Sequence, residues 1–335
     1  VLEEGLGPTI CREFYFPYAR KIWGLEPHEI SPVQARRRVS ANSVGRLIRR
    51  LLPGTRGTGA RSTKGIFYYP RLGYGQISER LRAAAEAAGA VIRLETAATR
   101  LVLEPGRAHR LDITSPEGEA AVSCDYVWST IPITALVRLV SPAAPEEVKA
   151  SAGRLRLRAM LLVYLVVATD QFTEFDAHYF PERGLPFTRV SEPKNYADIR
   201  EPAGRTVLCA EIPCDSGDDL WSSSDEALGA LVESGLAAAG LPLRHAVLQV
   251  LVRRLPAAYP IYATGYEKDF DRVDQWVDSL ERVLSFGRQG LYAHDNTHHA
   301  IYMARAAADC LDHRGFDRAK WERYRRIFDT HVVED

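Results

Sequence analysis

The chain has 335 residues, 46% of them apolar and 26% charged, the composition of a folded globular protein, which excludes disorder and low complexity. Its 43 Lys and Arg balance 43 Asp and Glu, so charge recommends neither a nucleic acid nor an anionic membrane as partner, and a small molecule is expected. The longest apolar run, Ala159 to Thr169, is too short to cross about 30 Å of hydrocarbon, and five cysteines without a C-x-x-C pair point to a reducing compartment.

The opening Val-Leu-Glu-Glu-Gly has no initiator Met, basic stretch or apolar signal core and reads as a chain already under way. Residues 11 to 50 are expected to be largely helical, with Phe14, Tyr15, Phe16, Tyr18 and Trp23 inside. The helical stretch ends in a basic cluster, Arg36, Arg37, Arg38, Arg46, Arg49 and Arg50, which reads as a solvated face. Glycines and small polar residues from Leu52 to Gly65 mark an exposed loop and a first boundary. Ile66 to Tyr69 reads as a short strand, Gln76 to Ala88 as a helix closed by Gly89, and Val91 to Leu94 as a buried strand, one β-α-β unit. Arg100 to Leu103, His109 to Thr114 and Ala120 to Val122 alternate with turns and predict an antiparallel meander. Tyr126 to Ser129 returns as a strand into Thr130-Ile131-Pro132. Alternation over Arg154 to Arg158 and the apolar run to Ala168 predict a long strand that opens a second sheet. Val207 to Ile212 and Ala246 to Val252 would extend it, around a helix that begins at Ser223-Ser224-Asp225-Glu226. Tyr266 to Arg282 reads as a helix, Val283 to Phe286 as a strand, Thr297 to Leu311 as a helix, and Asp317 to Thr330 as a closing amphipathic helix.

The most informative stretch is Val283 to Asn296. A strand ending in Gly287 and Gly290 lets backbone approach a ligand, Arg288 offers a planar fork to a phosphate oxygen, and the helix that follows adds an amino-terminal partial positive charge. The alternative is a glycine-rich turn with a surface arginine. A second stretch, Gly73-x-Gly75-x-x-Ser78, with Glu95 about 20 residues on, approaches a dinucleotide fingerprint. Its third glycine is replaced and Pro70-Arg71 lengthens the turn, so it is not read as one. His294, His298 and His299 lack the cysteine pair or H-E-x-x-H that would complete a zinc site, so no metal is expected. No G-x-S-x-G supports a serine hydrolase. Tyr68-Tyr69-Pro70 and Tyr259-Pro260-Ile261-Tyr262 set aromatics beside rigid turns and by themselves read as packed strand ends.

As an ordered set, these segments resemble the flavin-dependent amine oxidase superfamily, especially protoporphyrinogen-oxidase-like and UDP-galactopyranose-mutase-like proteins. Phe16 to Gly24 is similar to the family's Y-x-x-K-x-W-G helix, and Phe67 to Gly75 to its F-x-Y-P-x-x-G segment. Gly89 to Leu101 is similar to the strand on the adenine side of FAD, and Asp125 to Pro132 to the D-x-V-x-S-T-I-P turn. Ala258 to Tyr262 resembles A-Y-P-x-Y, and Gly287 to Asn296 the G-R-x-G-x-x-x-x-x-N stretch beside the flavin.

The resemblance implies an α/β fold in which a Rossmann-like FAD-binding domain (66–140 and 266–335, the last part including a tail helix) interleaves with a substrate domain of mixed sheet and helices (1–65 and 141–265). It implies FAD as cofactor, with Gly287, Arg288 and Gly290 near the diphosphate and ribityl chain, and Leu291, Tyr292 and Asn296 approaching the isoalloxazine edge. Ala300 and Ile301 would face the ring, and Ala98 with Thr130, Ile131 and Pro132 the adenine side. Tyr18, Trp23, Tyr69, Tyr259, Tyr262 and His299 would look towards a small organic substrate. The expected reaction is hydride transfer from substrate to flavin with oxygen or a quinone as acceptor, and no dedicated catalytic acid or base is assigned. The rivals are a flavin-dependent mutase and a non-catalytic remnant. Relatives begin with a strand, a G-x-G-x-x-G turn and a helix that hold the pyrophosphate, so the chain reads as an N-terminally truncated fragment expected to bind FAD poorly alone. A cytoplasmic protein is expected, with peripheral membrane association as the alternative.

Overall fold

The computed structural model describes residues 2–3, 7–34, 68–106, 109–196 and 201–333. The basic cluster at Arg36 to Arg50, the loop expected over 52–65 and the first half of the strand expected over 66–69 lie outside them. Residues 68–70 form no strand.

Pro8–Ile10 and a π-helical turn, Cys11–Tyr15, lead into helix α1 (Phe16–Trp23). Gly24 stops α1 in the left-handed region, φ +64, its N–H donating back to Arg20 O. Helix α2 (Gln76–Ala87) forms as expected and is followed by Gly89 at φ +94. None of its side chains is buried. The stretch expected as a buried strand, Val91 to Leu94, is not one: it is exposed, 81% at Val91 and 66% at Leu94, and has no ladder partner among the described residues. Strand geometry persists only where each N–H and C=O finds a neighbour, so the expected β-α-β unit is not completed there.

The meander is β1 (Ala97–Val102), β2 (His109–Ser115) and β3 (Gly118–Cys124), antiparallel throughout. Strand β4 (Val127–Ser129) then enters helix α3 (Ile133–Leu139) through Pro132, and β5 (Val140–Ser141) pairs in parallel with β1. Helix α4 (Glu146–Arg154) follows, so the alternation at Arg154 to Arg156 is a helix end and connection rather than strand.

The second sheet has the order β10-β6-β9-β8-β7 and is antiparallel at every pairing. Its members are β6 (Leu157–Val167), β7 (Ala177–Tyr179), β8 (Arg189–Ser191), β9 (Thr206–Cys214) and β10 (Val247–Pro260). Leu161, Val163 and Leu165 point to one face and are fully buried under helix α5 (Asp225–Ala238), whose first turn is capped by Ser224 Oγ accepting the Ala227 N–H at 3.2 Å. The intervening Leu162, Tyr164 and Val166 are only half-buried.

Helix α6 (Tyr266–Asp278) ends before the expected Arg282, and α3, α4 and α6 enclose a second core of Leu101, Ile133, Val137, Val148, Val273 and Val277. Strand β11 (Val283–Ser285) pairs in parallel with β4. A single turn, Gly287–Gly290, leads to helix α7 (Thr297–Asp309), and helix α8 (Arg318–Phe328) closes a third core of Phe286, Met303, Trp321 and Phe328. Among the described residues no helix is long and apolar enough to cross a membrane.

Candidate active site

Parallel strands β4 and β11 run in register, Val127 opposite Val283 and Ser129 opposite Ser285, and Phe286 N–H continues the ladder to Ser129 O at 3.1 Å. Both carboxyl ends therefore open at one place, where parallel α/β sheets receive ligands. Thr130-Ile131-Pro132 leaves one strand and Gly287 the other. Gly287 is left-handed, φ +81, and a Cβ there would touch Thr130 Cβ and Cγ2 at 3.8 Å. Gly290 is required by close approach: its Cβ would stand 2.9 Å from Ser285 Oγ and 3.2 Å from Ser129 O. Ser285 Oγ donates to Gly290 O at 2.8 Å, pinning the turn. Ser129 Oγ and Arg288 Nε are buried there without a hydrogen-bond partner. A separate cavity lies at the opposite, amino ends of the same strands, lined by Tyr126, Trp128, Arg282, Val283 and Phe316.

The other residues expected around a cofactor divide. Arg288 Nη2 donates to Ala258 O at 3.1 Å and its guanidinium lies over the Tyr259 ring at 4.5 Å, which ties the turn to the end of β10. Leu291 is buried, and Tyr292, at φ +49, directs its hydroxyl into the core, where it donates towards Arg156 O and Ile261 O. Burial pushes that phenol up, so it stays protonated. The Asn296 side chain caps α7 by accepting the His299 N–H, while Ala300 is half-buried and Ile301 leaves 41% of its surface exposed. Ala98 sits on the exposed first half of β1, in a different sheet from the turn.

The six residues expected to face a substrate separate into three settings. Trp23 and Tyr262, both buried, meet the buried His294 edge-on at 4.7 Å each, and Tyr259 stacks on the same imidazole at 6.0 Å. Tyr262 donates its hydroxyl to Tyr292 O at 2.9 Å. Tyr18 and Tyr69 lie elsewhere, Tyr18 stacked on Phe14 and reaching Tyr179 at 6.3 Å, Tyr69 stacked on Tyr196 at 5.4 Å. His299 belongs to a third place, its ring stacked on His331 at 4.2 Å.

Sequence reading missed the groups that accompany Tyr18 and Tyr69. Arg189 on β8 and Glu211 on β9 are register partners joined by an ion pair, and the guanidinium lies over the Tyr179 ring at 6.0 Å. Tyr196 feels the charge of Arg189 and the rings of Tyr179 and Tyr69 nearby, which gathers one polar, tyrosine-rich group on this side of the sheet. Each of these residues is ordinary in its own strand; only the 22-residue pairing of β8 with β9 joins the ions, so no local motif could reveal them. On the neighbouring register pair, burial pushes Tyr164 up to about 12 and Cys209 up to about 11. Both are neutral at pH 7, and neither is a ready base or thiolate nucleophile.

No protein-family model matches the chain, and no curated protein matches it in sequence. Solved structures do match it in fold. A crystal structure of reduced UDP-galactopyranose mutase superposes with a TM-score of 0.76 at 20% identity, over 99% of this chain and 70% of that one. A protein assigned as a protoporphyrinogen oxidase from Exiguobacterium superposes with a TM-score of 0.62 at 22% identity, over 86% of this chain and 61% of that one. The parallel pair with its glycine turn, the antiparallel sheet and the helices around them thus make up, over nearly the whole chain, the mixed α/β fold of these two solved structures.

Proposed function

We propose that the chain is the body of a flavin-dependent enzyme that holds FAD along the turn after β11 and oxidises a small or medium organic substrate by hydride transfer. The observation that carries this reading is the meeting of Thr130 and Gly287 at the shared carboxyl end of a parallel strand pair. The residues fit the cofactor on two counts. The glycine turn leaves backbone uncovered, and Ser129 Oγ and Arg288 Nε are buried there without partners. Gly287 would lie against the diphosphate arm and Thr130 to Pro132 against the adenine side. The exposed face of Ile301 and the amino end of α7 would meet the ring, where the helix dipole favours negative charge.

When bound, the flavin supplies the two-electron redox chemistry, with oxygen or a quinone as final acceptor. The chain's residues orient and shield. Arg288, held on Ala258 O and Tyr259, fixes the turn, while Trp23, Tyr259 and Tyr262 pack around the buried His294 and keep water from it. Tyr18, Tyr69, Tyr179 and Tyr196 offer stacking faces, with Arg189 as the cation among them.

A second reading, a nucleotide-sugar mutase, is favoured by the superposition over 99% of the chain and by that arginine–tyrosine group, which suits a base and a diphosphate. One experiment series separates the readings. Titration with FAD to high concentration should quench flavin fluorescence weakly in the wild type and not at all in Gly287→Val. Substrate-driven bleaching of the bound flavin supports the oxidase, and turnover of UDP-galactofuranose only after dithionite reduction supports the mutase. A chain that stays colourless in excess FAD overturns both.

A further inference from the structure

We propose that Asp295, His299 and His331 form a binding site for one divalent transition cation of the Zn2+ class, a site that does not depend on the flavin reading. Asp295 lies just before α7, with only 3% of its surface exposed, and its Oδ1 has no hydrogen-bond partner. Its near neighbours are two imidazoles: His299 Nδ1 stands 3.5 Å from Oδ1 and His331 Nδ1 3.5 Å from Oδ2. That separation is longer than the roughly 2.7–3.2 Å of a good N–H···O bond. It is close to the distance between two ligands on one tetrahedral ion, since bonds of about 2.0–2.1 Å place them about 3.4 Å apart. The potential ligand atoms of all three residues lie within 4.8 Å of one another. A buried carboxylate is costly unless it is paired or coordinates a metal.

The donor set selects the class of ion. Two imidazole nitrogens and one carboxylate suit Zn2+, Co2+ or Ni2+, whereas Mg2+ and Ca2+ prefer all-oxygen shells. The scaffold is ready on both sides. His299 is on the first turn of α7, four residues after Asp295, and the His331 ring is packed at 5.6 Å from Phe328 and 6.1 Å from Tyr302. Binding has one local cost: His299 Nδ1 accepts the Asn296 N–H at 3.2 Å, so the ring must release that amide or turn to offer Nε2. The start of α7 survives this, because the Asn296 side chain still accepts the His299 N–H. An ion here would clamp the segment after α8 to the start of α7. The spacing D-x-x-x-H is visible in sequence, but the third ligand lies 32 residues on and arrives only through the packing of α8 against α7.

The test uses the full chain without a polyhistidine tag, stripped with EDTA, dialysed, and titrated with CoCl2 in the absence of FAD. One Co2+ per chain should bind, with visible d–d absorption that ZnCl2 abolishes and MgCl2 does not, and ZnCl2 should raise the Tm. Asp295→Asn and His331→Ala, each shown folded by circular dichroism, should weaken Co2+ binding by about tenfold or more and lose the Tm shift. His298→Ala, which alters the exposed neighbour outside the set, should bind as the wild type does. Absence of stoichiometric Co2+ binding overturns the proposal. So does undiminished binding in both Asp295→Asn and His331→Ala, or an equal loss in His298→Ala, which would mark a surface histidine pair only.

Discussion

Lys21 gives the motif Tyr18-x-x-Lys21-x-Trp23-Gly24 a structural meaning. Its ammonium donates to Phe180 O at 2.7 Å, Glu182 O at 2.9 Å and Phe187 O at 2.7 Å, one acceptor for each of its three donors. Replacing it by methionine leaves those carbonyls without their donor, so Lys21→Met should lose about 2–3 kcal/mol in urea unfolding. Burial also lowers this lysine to about 8, below the 10.5 of a solvated one. Between those values the unfolded chain binds more protons than the native one, so stability should rise as pH climbs from about 8 towards 10.5. Denaturation midpoints across that window should show the rise in the wild type and lose it in Lys21→Met; an unchanged slope in the variant would assign the effect to another group. The motif's last residue is explained two ways. Gly24 is left-handed at φ +64, and a Cβ there would press on Arg158 Nη1 at 3.1 Å, whose Nε donates to Ile22 O and whose Nη1 donates to Asp215 Oδ1 at 2.6 Å.

Elements with a strong local signal were legible. The apolar run of β6, the meander β1–β3 and the cap of α5 at Ser224 follow from side-chain pattern and capping chemistry, which act within a few residues. The misses have a common cause in longer-range partners. Strand β10 continues to Pro260 because β6 lies beside it, although Arg253, Arg254 and two alanines break its apolar pattern. Val91 to Leu94 has the pattern of a strand without a described partner. Helices α3 and α4 follow Pro132 and Pro145 at their N-caps and are too short for a helical period to announce them in the sequence. At the candidate site, the Gly287–Gly290 turn was legible from its glycines, whereas Arg189 with Glu211 and Asp295 with His331 were not, since tertiary packing alone joins them. How tightly α5 sits on its sheet is also unreadable from sequence, because Gly235 sits in a helix without a turn to explain it. Its Cβ would stand 2.6 Å from the ring of the fully buried Phe187. Gly235→Ala should therefore cost about 1–3 kcal/mol by overpacking, while Gly153→Ala in α4, with nothing within 4 Å of the added carbon, should gain about 0.5–1 kcal/mol from helix propensity. Thermal melts of the two variants should move in opposite directions; a shared direction would show that helix propensity, not the fit against Phe187, governs both.

Across the whole molecule, the sheet of β6–β10 meets the segment after β11 at the end of β10, where Arg288 and Gln289 donate to Ala258 O and Ala257 O, and Trp23 packs into the same junction. Its ring is buried and meets Tyr259 edge-on at 5.6 Å and His294 at 4.7 Å, so it touches both the end of β10 and the stretch between the glycine turn and α7. Arg158 on β6 holds the same corner from the other side, through Ile22 O. Removing the indole leaves a large cavity at this junction, and Trp23→Ala should lose about 3–5 kcal/mol in urea unfolding. The loss should not stay local. His294 lies within the stretch from Gly287 to Asn296, so a loosened imidazole frees the backbone that the proposed cofactor would contact, and flavin quenching by the variant should weaken together with its stability. Trp23→Phe, which keeps a ring edge towards His294, should recover most of both. If Trp23→Ala lost stability while quenching flavin as well as the wild type, the corner would serve folding alone, and the segment after β11 would be held in place by its own hydrogen bonds from Ser285 and Arg288.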